Sequence, residues 1–74
     1  MKISSFVKQR RSLSGLTQPE LAEKAGVGLR FIRELEQGKE SLRLDKVNQV
    51  LNLFGYETGP VKTEHLSTNN ELKQ

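Results

Sequence analysis

The sequence has no cysteine and only one histidine among its 74 residues. Without cysteine the chain can form neither a disulfide nor a thiolate zinc site. His65 lies in a polar segment that offers no rigid support, so we interpret it as a solvated residue rather than a metal ligand or a catalytic base. Gly-rich phosphate loops and Ser/His/Asp groupings on a credible scaffold are missing too. These absences predict a protein that is not an enzyme and needs no cofactor or metal.

Long hydrophobic runs are also missing from the sequence. The longest apolar stretches span only a few residues, which is too short for a membrane-spanning helix or a secretory signal. We therefore expect a cytoplasmic protein without a membrane partner. A chain of 74 residues leaves room for one domain, with a core near the lower limit of independent stability.

Positive charge is concentrated in the first half of the sequence. The formal net charge of the chain is +3. Residues 1–39 carry eight Lys and Arg against four Asp and Glu, whereas residues 40–74 carry four against five. The basic field therefore belongs to the N-terminal half, which favours a polyanionic partner for that half.

Hydrophobic periodicity and glycine positions predict four short helices in the first 55 residues. The predicted helices are Ile3–Leu13, a second helix that begins after Thr17 and ends at Gly26, Leu29–Gln37, and Arg43–Phe54. The second helix has the clearest beginning, because Thr17 and Glu20 have capping-box spacing and Pro19 falls in the first turn. Residues 1–55 are thus predicted to form one all-α domain.

Two segments follow the predicted helical domain. Residues 56–61 are short and ambiguous, because they are compatible with one strand interrupted by Gly59-Pro60 or with a dimer contact. Residues 62–74 are polar and are expected to be disordered. Leu53 falls outside the apolar stripe of the fourth predicted helix. It is either an ordinary exposed leucine or, together with Tyr56, part of a contact with a second copy or a partner protein.

The second and third predicted helices form a helix-turn-helix unit. They are separated by a turn of about three residues that contains glycine, which is the connection expected for this motif. Ala22 is small enough to let the two helices approach closely, and Gly26 can adopt a backbone conformation that a Cβ would disfavour. In such a unit the segment Val27–Gln37 is expected to enter the major groove of duplex DNA.

Helical spacing divides the third predicted helix into two faces. The apolar residues of the first face, which should meet the core, are Phe31, Ile32 and Leu35. Arg30 and Arg33 fall on the opposite side, with Leu29 at its edge. Two arginines and an aliphatic side chain suit guanine edges, phosphates and a thymine methyl, so we predict that these residues read bases. The alternative is a solvated face on which Arg30 pairs with Glu34 at i, i+4.

Residues around this unit are candidates for DNA-backbone contacts or for structural roles. Gln18, at the start of the second helix, is predicted to hydrogen-bond a phosphate, with decoration of the helix end as the alternative. Lys39, just after the third helix, is predicted to make the same kind of contact, although an ordinary loop lysine would look the same. Arg11 and Glu36 are predicted to form a structural ion pair between the first and third helices.

The segment Leu16–Lys39 resembles the helix-turn-helix of the Cro/CI (XRE-type) transcriptional regulators. The matching positions are Thr17-Gln18, Glu20-Leu21-Ala22, Gly26-Val27, Ile32 and Glu36-x-Gly38. The resemblance covers residues 3–54 and implies a lambda-repressor-like bundle of four to five short helices. The residue roles that it implies are base reading by Leu29, Arg30 and Arg33 and phosphate binding by Gln18 and Lys39.

Within that family, the stretch from Gly28 to Gly38 and the apolar pattern from Leu42 to Leu51 are similar to HipB-type antitoxins. This similarity implies a homodimeric bacterial repressor that is associated with the nucleoid. It would bind double-stranded DNA at a palindromic operator of its own operon. It would also bind a HipA-type kinase toxin. The alternatives are a stand-alone phage or chromosomal Cro-type repressor, and a toxin-neutralising module with weak DNA binding. Gly28 replaces the usual Ser or Thr, so a phosphate there would be held by backbone N–H groups alone.

Overall fold

The computed structural model describes residues 2–60 of the chain. Within that range the protein contains four α-helices and no strand: α1 (Ile3–Leu13), α2 (Gln18–Ala25), α3 (Leu29–Gln37) and α4 (Leu44–Leu53). The predicted bounds of the first and third helices are confirmed, and α4 is one residue shorter at each end than predicted. The predicted all-α helix-turn-helix bundle is therefore confirmed. None of the helices between residues 2 and 60 is long and apolar enough to cross a membrane.

A capping box starts α2, as the sequence predicts. Thr17 Oγ1 accepts a hydrogen bond from the backbone N–H of Glu20 (3.2 Å), and Glu20 Oε1 accepts one from the N–H of Thr17 (2.8 Å). At the other end, Gly26 has a φ of +75°, and its N–H donates to the carbonyl of Ala22 (3.0 Å). Because glycine adopts this left-handed conformation without strain, the chain can turn directly toward α3.

The core lies between the four helices, each of which contributes one fully buried aliphatic side chain. These side chains are Val7, Leu21, Ile32 and Val50, and the core is completed by Ala22, Ala25, Leu35, Val47 and Leu51. Burial of one such aliphatic side chain stabilises a fold by about 1.5–3 kcal/mol. The whole stability of a small domain is only about 5–15 kcal/mol. Loss of the buried contacts of α3 would therefore remove a large fraction of the stability of the fold, and these contacts fix the inner side of the helix.

The segment after α4 runs back along that helix instead of forming a strand. Within residues 56–60 the backbone N–H and the Oγ1 of Thr58 both donate to Asn48 Oδ1, at 2.8 and 2.9 Å. The strand considered for residues 56–61 is therefore not formed over residues 56–60, since the N–H of Thr58 is bonded to a side chain of α4. Val61 and residues 62–74, with His65 and the segment expected to be disordered, lie outside the described residues.

Candidate nucleic-acid interface

The helix α3 presents two faces of opposite character. Ile32 and Leu35 are buried in the core, and Phe31 is half-buried against it. Arg30 and Arg33 lie on the other side and are exposed to solvent. The helix is thus anchored through its apolar side chains, and its cationic side chains face solvent outside the bundle.

The start of α3 has no side-chain cap of its own. Gly28 is the N-cap residue, with φ −76° and ψ 154°, a conformation that any residue can adopt. Among residues 2–60, no heavy atom outside Gly28 and its two chain neighbours lies within 4 Å of the position that a Cβ on Gly28 would take. The first N–H groups of a helix have no intrahelical partner, so those of α3 can meet an anion. Leu29 is half-buried against the core at the edge of this start.

A buried ion pair joins α1 to α3. Arg11 donates from Nε to Glu36 Oε2 (2.7 Å) and from Nη2 to Glu36 Oε1 (3.0 Å), and its Nη1 donates to the carbonyl of Leu16 (3.0 Å). The side chain of Glu36 is only 2% exposed. Burial opposes its ionisation, but the hydrogen bonds from Arg11 and Gln18 outweigh burial and hold the pKa of Glu36 below its usual value. Glu36 is thus an ionised structural residue.

Gln18, a predicted phosphate contact, is held by the same carboxylate. Its Nε2 donates to Glu36 Oε1 at 3.0 Å and so links the first turn of α2 to α3. An amide nitrogen carries two hydrogens, so Glu36 uses one N–H of Gln18 and the second can serve another acceptor. This hydrogen bond was not predicted, and its available signal was that both Gln18 and Glu36 match the pattern of the resembling family.

Two cations on the outer face share one carboxylate. Arg30 Nε donates to Glu34 Oε2 at 3.3 Å, and Lys39 Nζ donates to the same oxygen at 3.4 Å. The side chain of Glu34 is 25% exposed, whereas that of Arg30 is 91% exposed. Arg33 forms no ion pair with any residue of the described range 2–60. The predicted base-reading arginines therefore lie in different electrostatic surroundings.

The turn of the helix-turn-helix unit is supported from α4. Gln49 Nε2 donates to the carbonyl of Ala25 at 3.3 Å and lies 3.5 Å from that of Gly26. These carbonyls belong to the end of α2, where intrahelical donors run out. The angle between α2 and α3 is thus fixed by a third helix as well as by their own packing.

An aromatic cluster that was not predicted joins α1 to the segment after α4. Tyr56 packs edge-on against Phe6, with ring centroids 4.8 Å apart, and its hydroxyl accepts a 2.7 Å hydrogen bond from Arg10 Nη2. The guanidinium of Arg10 also lies over both rings, at 5.5 and 5.2 Å. The spacing of Phe6 and Arg10 by one helical turn was the available signal. Leu53 and Tyr56, the predicted dimer or partner contacts, are 40% and 46% exposed.

Comparison with known proteins identifies the fold and its class of function. Residues 7–60 match the helix-turn-helix family, a range that holds all of α2, α3 and α4. Among curated proteins, the chain is similar to an uncharacterized HTH-type transcriptional regulator, y4mF, of Sinorhizobium fredii, with 49% identity over 53 residues. This match covers 72% of the chain and 70% of the relative. The chain therefore belongs to the helix-turn-helix family of XRE-type, DNA-binding transcriptional regulators.

Proposed function

We propose that the chain is a sequence-specific repressor that inserts α3 into the major groove of its operator. The observation that carries the proposal is the pair of exposed arginines on a helix whose opposite face is buried. Because Ile32 and Leu35 fix the helix, Arg30 and Arg33 can be presented to base edges without rearrangement of the fold. Arginine is well suited to this role, since its fork of N–H donors matches the acceptors of guanine.

Each candidate contact has a distinct task in this proposal. Arg30 and Arg33 would read bases, and Leu29 at the edge of α3 would contact an apolar group such as a thymine methyl. Phosphates would be held by the second N–H of Gln18, by the backbone at Gly28 and by Lys39. The phosphate contacts set position and salt dependence, whereas the base contacts set sequence preference.

A homodimer on a palindromic operator is the assembly that we propose. A single unit contacts only a few base pairs, so a second copy would place a second α3 about 34 Å away, one turn along the duplex. The exposed Leu53 and Tyr56 support this assembly. Tyr56 also lines an apolar groove together with Ile3 and Phe6. Aromatic and arginine side chains of this kind are common at the centres of protein interfaces.

We further propose that the repressor is the antitoxin of a HipA-type operon and acts on its own promoter at the bacterial nucleoid. The resemblance of residues 28–51 to HipB-type antitoxins motivates this proposal. The surface formed by Leu53 and Tyr56 would then bind a toxin, in addition to or instead of a second copy of the chain. The alternatives are a stand-alone Cro-type repressor and a toxin-neutralising module with weak DNA binding.

The decisive experiment is a salt-titrated binding assay with the chain's own promoter fragment and a random duplex of equal length. A repressor should prefer the promoter fragment by about a thousandfold or more at physiological salt. Light scattering of the same samples measures the mass of the free protein and of the complex. Equal affinity for both duplexes would contradict the repressor, and a single copy on the promoter would contradict the dimer.

The antitoxin proposal has its own test. The protein is tagged and purified from cells that carry its native operon, and the bound proteins are identified by mass spectrometry. A HipA-type kinase should be recovered with the wild-type chain and lost with a Leu53→Asp, Tyr56→Ala double variant if this surface binds it. Recovery of the kinase without any promoter binding would favour the toxin-neutralising module.

A further inference from the structure

Glu34 lies among the residues proposed to contact DNA, yet it carries the charge that DNA repels. Its Oε2 accepts from Arg30 Nε (3.3 Å) and from Lys39 Nζ (3.4 Å), so one carboxylate oxygen serves a proposed base reader and a proposed phosphate contact. The side chain of Glu34 is 25% exposed, against 91% for Arg30 and 48% for Lys39. The carboxylate is thus less exposed to solvent than the two cations that it neutralises.

The geometry of the Arg30 contact leaves its terminal nitrogens for another partner. Within residues 2–60, the side chain of Arg30 donates to Glu34 through Nε. A guanidinium has four further N–H donors on Nη1 and Nη2. A guanine edge offers two neutral acceptors to such a fork. Arg30 could therefore bind guanine while its Nε stays on Glu34, and the carboxylate would hold the guanidinium in place.

A phosphate meets a different situation at the same surface. A phosphate is an anion, so it is repelled by Glu34 and competes with it for Lys39 and Arg30. Random duplex DNA is bound almost entirely through phosphates, whereas an operator adds contacts to neutral base edges. Glu34 should consequently weaken binding to random duplex more than binding to the operator, which makes it a repulsive element of the kind that creates specificity.

On the basis of the proposed DNA-binding function, we propose that Glu34 is a specificity-determining residue. It positions Arg30 through Nε for a base edge and reduces the attraction of Arg30 and Lys39 for phosphates. The repulsion of phosphates by Glu34 weakens complexes with random duplex. Arg33, which has no ion pair within the described residues, would contribute only through its contacts with the operator.

The test compares Glu34→Gln with Glu23→Gln in the full chain. Both changes remove one negative charge from the helix-turn-helix unit, and Glu23 is an exposed α2 residue that forms no ion pair within residues 2–60. Dissociation constants are measured for the promoter fragment and for a random duplex over a range of salt. Glu34→Gln should tighten binding to the random duplex about threefold more than Glu23→Gln does. Its preference for the promoter fragment should fall by a similar factor.

Several outcomes would overturn the assignment. If Glu34→Gln and Glu23→Gln change both affinities equally, Glu34 acts only through net charge. If Glu34→Gln weakens promoter binding and leaves random duplex unchanged, Glu34 does not repel phosphates and acts only on contacts with bases. Glu34→Ala is measured as a second variant, with circular dichroism of both, so that a folding defect is recognised; a correctly folded Glu34→Ala must behave as Glu34→Gln does.

Failure of the proposed function gives a different result. A wild-type chain that binds the two duplexes equally would contradict the sequence-specific repressor. The random-duplex arm would still compare Glu34→Gln with Glu23→Gln and would test the phosphate repulsion directly. A chain that binds neither duplex at low salt would contradict the repressor and the role of Glu34 together.

Discussion

Glu34 and Glu36 lie two residues apart on α3 and have opposite surroundings. Glu36 turns inward, is 2% exposed, and accepts hydrogen bonds of 2.7 to 3.0 Å from Arg11 and Gln18. Glu34 turns outward, is 25% exposed, and accepts contacts of 3.3 and 3.4 Å from Arg30 and Lys39. Buried pairs are costly to break and exposed pairs contribute little. The same residue type therefore serves the fold at one position and the surface at the other.

The largest effect is expected from Glu36→Gln. This change leaves the charge of Arg11 without its counterion inside the bundle, and fully buried pairs lose about 3–5 kcal/mol when one partner is removed. Arg11 keeps 20% of its side chain exposed, so we expect the free energy of unfolding to fall by about 2 kcal/mol. Urea denaturation followed by circular dichroism measures it. A decrease in the free energy of unfolding of less than about 0.5 kcal/mol would show that the Arg11–Glu36 pair contributes no more than an exposed ion pair.

The next effect concerns the outer face alone. Arg33→Ala should remove about 1–2 kcal/mol of preference for the promoter fragment over random duplex, because a base contact is lost. Lys39→Ala should weaken both complexes nearly equally and reduce the salt slope by about one. Anisotropy titrations of both variants on both duplexes measure the difference. Equal losses on the two duplexes for Arg33→Ala would contradict its role as a base reader.

Acid should weaken the buried ion pair of Glu36. The pKa of Glu36 in the folded protein is below its ordinary value of 4.5, so the unfolded chain binds the proton first as the pH falls. The stability due to Glu36 is therefore complete above that value and is lost as the pH falls through the lower pKa of the folded state. Urea midpoints between neutral pH and pH 3 should fall less steeply for Glu36→Gln than for the wild type. Glu20 and Asp45 also have lowered pKa values, but both residues are present in the wild type and in the variant, so they do not produce a difference between the two proteins. Parallel pH dependences of the two urea midpoints would contradict the assignment to Glu36.

The smallest effect is expected from the matched change Glu34→Gln. It breaks an i, i+4 pair and a second exposed contact, so the free energy of unfolding should change by less than about 0.5 kcal/mol. The change should shrink further in 1 M salt, where surface charges are screened over about 3 Å. Urea denaturation at low and high salt measures both values. A loss as large as that of Glu36→Gln would remove the contrast between the two residues.

Local signals predicted the helices and the two faces of α3. The capping box of Thr17 and Glu20 spans four residues, and glycines follow the ends of the helices. These features can therefore be predicted from short stretches of sequence. Helical spacing alone also separated Arg30 and Arg33 from the buried side chains of α3, since the direction of a side chain on a helix follows from its position.

Contacts between distant parts of the chain were harder to predict. The N–H of Thr58 is bonded to Asn48, and Arg10 is bonded to Tyr56 across 46 residues. Neither contact has a spacing that a helix or a turn would impose, because each depends on how α1, α4 and residues 56–60 pack together. On sequence alone, the segment after α4 is therefore compatible with a strand and with a dimer contact, and the aromatic cluster is not predicted.

Because Gly28 has no side chain, the start of α3 lacks the side-chain cap that α2 has, and a bound nucleic acid would supply it. Thr17 and Glu20 satisfy the first donors of α2 from within the chain, whereas α3 begins at a glycine and has no acidic residue in its first turn. Its buried residues, Ile32, Leu35 and Glu36, all lie further along the helix. A phosphate bound at that start would complete α3 as the capping box completes α2. Association with DNA would then raise the unfolding temperature of the bundle itself, since a ligand that binds only the folded state stabilises it.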